Sequence, residues 1–137
     1  MSGPAFGRPD RAAAVVLRDG WVLVILRHRQ GRDYCVLRGG GVEPGETPEV
    51  ALLRELREET GLTGSVTRRL WTLDHDGRVA HYFLVVAAPG ELVLGGPEAV
   101  RQSDDNTYRP HWLPISQLSE NNLQPEELRP LLSGLAR

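Results

Sequence analysis

The sequence predicts an α/β fold in which a mixed sheet lies between helical layers. Two segments carry helical patterns: residues 48–60, and residues 125–135, whose leucines recur at i, i+3, i+4 and i+7. The remaining apolar runs are short, partly β-branched and bounded by turn residues, as β-strands are. At 137 residues and 40% hydrophobic content, the chain is long enough to bury a core. We therefore expect a flexible arm at residues 1–10 and a single domain at 11–137.

The strands are predicted from apolar runs and the turns between them. Asp19-Gly20 is a strong hairpin signal, and residues 74–77 resemble a second hairpin turn. Residues 27–33 are expected to form a polar loop, and 89–109 a long polar stretch interrupted only by a brief strand at 91–94. A helical turn is expected at 115–118. The predicted strands of the sheet are residues 12–17, 21–26, 34–37, 65–73, 79–88 and 111–114.

Charge and composition exclude several functional classes. The formal net charge is −2 and the isoelectric point about 6.1, so no basic field exists to attract a nucleic-acid polymer or an anionic membrane. No run approaches the roughly 18 apolar residues of a membrane span. The single cysteine, Cys35, cannot form an internal disulfide, which favours a reducing compartment. We expect a cytoplasmic protein, monomeric or homodimeric, that acts on small molecules.

The segment 48–60 carries local signals for both ends of a helix. Thr47 is a suitable N-cap, Pro48 suits the first helical position, and Gly61 can adopt the left-handed conformation that ends a helix. Within the helix, Glu55, Glu58 and Glu59 stand at i, i+3 and i+4, so their side chains share one face.

Three carboxylates on one face repel each other unless a cation neutralises them. Mg²⁺, with Mn²⁺ as an alternative, prefers such oxygen ligands. The other interpretation of the spacing alone is a solvated acidic face, whose repulsion Arg54 and Arg57 would partly screen.

The surrounding pattern favours the metal site. It reads Gly40, five residues, Glu46, seven residues, Arg54-Glu55-Leu56, one residue, Glu58-Glu59, one residue, and Gly61-Leu62. This resembles the signature of the Nudix hydrolases, with every defined position filled. The resemblance implies an α/β/α sandwich with a loop-helix-loop signature, and a MutT-like activity. That activity would be hydrolysis of a nucleoside diphosphate linked to a further group, by attack of water on phosphorus.

The resemblance also implies roles for individual residues. Glu55 and Glu59 would be metal ligands with Glu58 close behind, and one of these carboxylates would act as general base. Arg54, together with Glu46, would orient a glutamate through its planar fork. The main-chain carbonyl of Gly39 is the candidate for a further ligand. Glu43 and Glu49 are expected to be solvated charges.

One residue departs from the family's common pattern. Where many members have proline before the glycines, this chain reads Leu37-Arg38-Gly39-Gly40. Arginine restores an N–H group and adds a cation. Arg38 would either contact a substrate phosphate or point into water.

Substrate identity is less sharply indicated. A further acidic ligand could come from Asp104, Asp105 or Glu98. A (deoxy)nucleoside triphosphate, cleaved in a sanitising reaction, is the leading hypothesis, and dinucleoside polyphosphates and nucleotide sugars are alternatives. A nucleotide-binding sensor with little turnover is the alternative from another functional class. The candidate substrate-binding residues are Arg27, Arg29, Arg38, Gly40, Tyr82 and Asp105.

Overall fold

The computed structural model describes residues 9–75, 77–89 and 103–135. Most of the predicted N-terminal arm, the brief strand at 91–94 and Glu98 lie outside these residues. A 3-10 turn spans Ile115–Gln117. The strands and helices are β1 (Arg11–Arg18), β2 (Trp21–Arg29), β3 (Arg32–Leu37), β4 (Gly39–Gly41), α1 (Pro48–Thr60), β5 (Gly64–His75), β6 (Arg78–Ala87), β7 (Asn106–Pro114) and α2 (Leu128–Leu135).

The strands form a mixed sheet organised around the hairpin of β1 and β2. Strand β1 runs parallel to β6 and antiparallel to β4, and it meets β2 only near the hairpin turn. Strand β5 pairs with β6, whereas β2 carries β3 on one edge and β7 on the other, all antiparallel. The predicted α/β class with a mixed sheet is therefore confirmed.

Strand β1 is buried on both faces, and its alternating side chains enter two separate clusters. Ala12, Ala14 and Val16 pack with the α1 residues Leu52 and Leu56. Ala13 and Val15 belong to the other cluster, which contains Leu128 and Leu132 of α2. The two helices thus cover opposite faces of the sheet, as an α/β/α arrangement requires. A strand covered on both sides explains the continuous apolar run in its sequence.

Helix α1 has the bounds predicted from its caps. The Thr47 hydroxyl accepts a hydrogen bond from the Val50 N–H at 3.2 Å. At the other end Gly61 adopts a φ of 78° and donates its N–H to the Arg57 carbonyl at 3.0 Å. These local contacts fix the two ends of the helix that carries the acidic face.

The predicted loop at 27–33 is wrong. Strand β2 continues to Arg29, and β3 begins at Arg32 after a two-residue turn in which Gln30 and Gly31 have φ values of 52° and 76°. The polar composition suggested a loop, but the backbone of this segment pairs with two neighbouring strands.

Two further boundaries also differ from the prediction. Strand β7 begins at Asn106 rather than at residue 111, because Asn106 to Pro110 pair with β2 in spite of their polarity. Helix α2 begins at Leu128 rather than at Pro125, because residues 125–129 first form turns. The Leu128 N–H donates to the Pro125 carbonyl and the Arg129 N–H donates to the Glu126 carbonyl.

Neither helix in the described part of the chain has the length and apolar character that a bilayer span requires.

Candidate active site

A cleft of about 860 Å³ opens beside the acidic face of α1. Its walls come from β1 to β6, from α1, and from the start of α2 with the two residues Gln124 and Pro125 that precede it. A cleft of this size falls in the usual range for small-molecule sites. Its charged lining residues are Arg11, Arg27, Arg38, Glu43, Arg54, Glu55, Glu58 and Glu59.

Arg54 connects the carboxylates of this region. Its Nε and Nη2 donate to the two oxygens of Glu46 at 2.7 and 2.9 Å, a bidentate pair. Its Nη1 donates to Glu55 Oε1 at 2.6 Å and lies 3.5 Å from Glu58 Oε1. The same side chain lies 3.6 Å from Glu43, which is 65% exposed but lines the cleft. One guanidinium therefore orients the loop acid and two of the three helix acids.

The bidentate pair changes the acid–base behaviour of both partners. Hydrogen bonding to Arg54 lowers the pKa of Glu46 to about 2, and the backbone N–H of Glu43 contributes in the same direction. Because Glu46 accepts these hydrogen bonds, it also raises the pKa of Arg54 above its ordinary value. Both groups are thus charged at neutral pH, as an orienting pair must be.

The glycines of β4 let the backbone approach α1 and β1 closely. A Cβ on Gly40 would collide with the Glu55 carboxylate, and one on Gly39 would lie 2.6 Å from the Ala12 carbonyl oxygen. At Gly39 the clash is with backbone, so glycine is required for steric reasons, whereas at Gly40 a side chain would force the Glu55 carboxylate to move.

Arg38 does not point into water. It is only 5% exposed and donates from Nη2 to the Gly39 carbonyl. Its Nη2 lies 3.6 Å from Glu55 Oε2 and its Nη1 lies 3.8 Å from Glu59 Oε2. The guanidinium therefore lies among three of the predicted metal ligands.

The atoms available as metal ligands are of the chemical type that a hard divalent cation prefers. Glu55, Glu59 and the Gly39 carbonyl offer only oxygen, and Glu59 is 3% exposed, so its charge needs a nearby cation. Over the described ranges, however, no three acidic, histidine or cysteine side chains are already arranged as metal ligands. The Arg38 guanidinium lies between Glu55 and Glu59.

The substrate-binding candidates separate into two groups. Arg27, Arg38, Gly40 and Tyr82 line the cleft, and burial raises the pKa of Tyr82. Arg29 is exposed at the end of β2, and Asp105 is exposed in the turn before β7. Neither residue lines this cleft, and nor does Asp104.

Arg27 is held in place by contacts on several sides. Its Nε donates to the Thr107 carbonyl at 3.1 Å and its Nη2 to Asn106 Oδ1 at 2.5 Å. Its guanidinium carbon lies 3.8 Å from the Tyr108 ring centroid and 5.7 Å from that of Tyr34.

Sequence reasoning missed two of the residues that line the cleft. Arg11 lies opposite Gly41 in the pairing of β1 with β4, and His75 ends β5. Burial and the nearby cations Arg78 and Arg38 lower the pKa of Arg11. No local signal marks either residue, because only strand register brings Arg11 beside the glycines.

The chain belongs to the NUDIX family, whose domain matches residues 8–133. It is 42% identical to an RNA pyrophosphohydrolase of Aeromonas hydrophila, over 86% of this chain and 78% of that protein. It is 35% identical to an ADP-ribose pyrophosphatase of Mycobacterium tuberculosis, over 73% of this chain and 48% of that protein. The family resemblance of the helix signature is thereby confirmed.

The fold is likewise that of the family. A crystal structure of a NUDIX family hydrolase from Clostridium perfringens superposes with a TM-score of 0.74 at 17% identity, covering 96% of this chain and 97% of that one. The chain spans about half the length of several curated relatives that it matches, 46% and 56% in two cases.

Proposed function

We propose that this protein is a Mg²⁺-dependent pyrophosphohydrolase that cleaves a phosphoanhydride bond in a small nucleotide. The observation that carries the proposal is the set of contacts made by Arg54, which ties Glu46, Glu55 and Glu58 together at the wall of the cleft. A merely solvated acidic face would not need one arginine to orient three carboxylates, nor a fourth, Glu59, to be buried beside the same cleft.

The acidic residues would have different roles in metal binding and in proton transfer. Glu55, Glu59 and the Gly39 carbonyl would hold the ion, with Glu58 as a further ligand. When bound, Mg²⁺ would neutralise charge on the phosphate oxygens and help to activate the attacking water. Glu58 is 44% exposed, so it can reach the solvent side of the cleft and accept the proton of that water. Glu55 is the alternative base, and Arg54 and Glu46 act as positioning residues.

The basic side of the cleft would bind the anionic substrate. Arg11 and Arg27 line it, and the guanidinium of Arg27 is pre-positioned by its contacts with Asn106, Thr107 and Tyr108. Gly40 and Tyr82 line the same cleft, and Gly40 allows close approach of the main chain. We propose a (deoxy)nucleoside triphosphate as substrate, in a MutT-like sanitising reaction, with dinucleoside polyphosphates and nucleotide sugars as alternatives.

The test is product analysis on a panel of substrates with Mg²⁺. The panel contains (d)NTPs, oxidised nucleotides, ADP-ribose, nucleotide sugars, dinucleoside polyphosphates and a 5′-triphosphorylated RNA oligomer. We expect turnover by the wild type and its loss in Glu58→Gln and Glu59→Gln, while Glu49→Gln, which removes a carboxylate from the first turn of the same helix, stays active. No turnover of any substrate with Mg²⁺ or Mn²⁺ would contradict the enzymatic proposal.

A second candidate is a nucleotide-binding sensor without turnover. The position of Arg38 favours it, because this guanidinium supplies a cation to Glu55 and Glu59 without any metal. It predicts that the wild type and the glutamine variants bind nucleotide equally and that none of them hydrolyses it.

A further inference from the structure

Arg38 contacts the same oxygens that the proposed metal would use. Its guanidinium donates to the Gly39 carbonyl and lies within ion-pair distance of Glu55 and Glu59. The side chain is almost fully buried, so these contacts are not those of a surface arginine sampling solvent. It balances the charge of a carboxylate that the fold buries.

A guanidinium and a divalent ion cannot both occupy this position. The two cations would compete for the same lone pairs and repel each other at short range. We infer that Arg38 is a resident counter-ion that competes with the divalent metal and must leave the carboxylates before the metal binds. This inference rests on the metal site of the proposed function.

The geometry gives Arg38 a route out of the site. It stands between β3 and β4 and lines the same cleft as Glu55 and Glu59, so its side chain can turn into that cleft without unfolding an element. The apparent affinity for metal then equals the intrinsic affinity multiplied by the fraction of molecules in which Arg38 has left the site. Metal affinity in this chain is thus set in part by a residue that is not a ligand.

The test is Mn²⁺ binding in the absence of nucleotide, measured by calorimetry. We expect Arg38→Gln to bind Mn²⁺ about tenfold more tightly than the wild type, or better, because the competing cation is gone. Arg38→Lys keeps a cation there and should remain close to the wild type. Arg57→Gln is the matched control, since it removes the same charge from an exposed position on α1.

Each outcome of this titration decides a different point. Equal or weaker binding by Arg38→Gln would overturn the inference, and so would an equal gain in Arg57→Gln, which would indicate a general charge effect. If neither the wild type nor Arg38→Gln binds Mn²⁺, the proposed metal site fails and the inference fails with it. If both bind with equal affinity, the metal site stands and only the role of Arg38 is rejected.

A second measurement uses the wild-type chain, so it tests the inference even if the Arg38→Gln variant does not fold. The Arg38 Nε–H signal, assigned by its absence in the Arg38→Lys spectrum, is followed by ¹⁵N NMR during titration with diamagnetic Mg²⁺. We expect this signal to shift and to lose protection from hydrogen exchange as the site fills. A signal that is unchanged at saturation would overturn the inference.

Discussion

Arg54 donates two parallel hydrogen bonds to Glu46, one from Nε to Oε2 at 2.7 Å and one from Nη2 to Oε1 at 2.9 Å. This pair links the loop after β4 to the middle of α1. Because Nη1 of the same group donates to Glu55, the loop acid and the helix acid are oriented by one planar fork.

Replacing the planar guanidinium of Arg54 by a lysine ammonium should lower the activity. Lysine in Arg54→Lys keeps the charge but cannot donate to Glu46 and Glu55 in fixed directions. We expect activity with Mg²⁺ to fall about 10- to 100-fold, as for residues that orient metal ligands. Steady-state kinetics measure it, and Arg57→Lys on the exposed side of the helix is the control. Undiminished activity in Arg54→Lys would contradict the orienting role.

Glu46 should make the stability of the protein depend on pH in a defined window. Its pKa is lowered from 4.5 to about 2, so the folded state favours the ionised form. The stabilisation should be fully present above pH 4.5 and should be lost as the pH falls towards 2. The measurement is urea unfolding of the wild type and Glu46→Gln between these pH values. A stability difference that does not change across the window would contradict the assigned shift.

Gly40→Ala should damage the site through a single methyl group. The new Cβ would collide with the Glu55 carboxylate, which must then move away from Arg54 or Arg38. We expect about a tenfold or larger loss of activity. Gly41→Ala is the matched control, because its nearest neighbour would be Arg78 Nη2 at 3.4 Å, an ordinary contact. Equal activity in the two variants would show that the position of Glu55 is unimportant.

Leu56 should anchor the acidic helix to the sheet. It is fully buried in the cluster with Ala14 and Phe83, on the face of α1 opposite to solvent. Leu56→Ala should lower the free energy of unfolding by about 2–5 kcal/mol, because it leaves a cavity. Val50→Ala, at a position that is 54% exposed, should change it by less than about 0.5 kcal/mol. Chemical denaturation of both variants makes the comparison.

The parts of the fold that were predicted correctly depend on neighbours in sequence. Thr47 and Gly61 mark the ends of α1, and the Asp19-Gly20 turn marks the first hairpin, because caps and tight turns are local. The errors at residues 27–33 and 106–110 have the opposite origin. Polar residues there are held in strands by hydrogen bonds to β2 and its partners, which no short window of sequence contains.

The sequence by itself determined the acidic face. Helical periodicity places Glu55, Glu58 and Glu59 together, and the spacing of Arg54 and Glu46 around them identifies the family. Arg54 was expected among these carboxylates from the same pattern, and only the tertiary structure decided which further cations lie near them. The pairing of β1 with β4 brings Arg11 to the cleft, and the close packing of Gly40 on Glu55 places Arg38 between Glu55 and Glu59. Such contacts join segments far apart in the chain, so they follow from strand register and packing rather than from any local pattern.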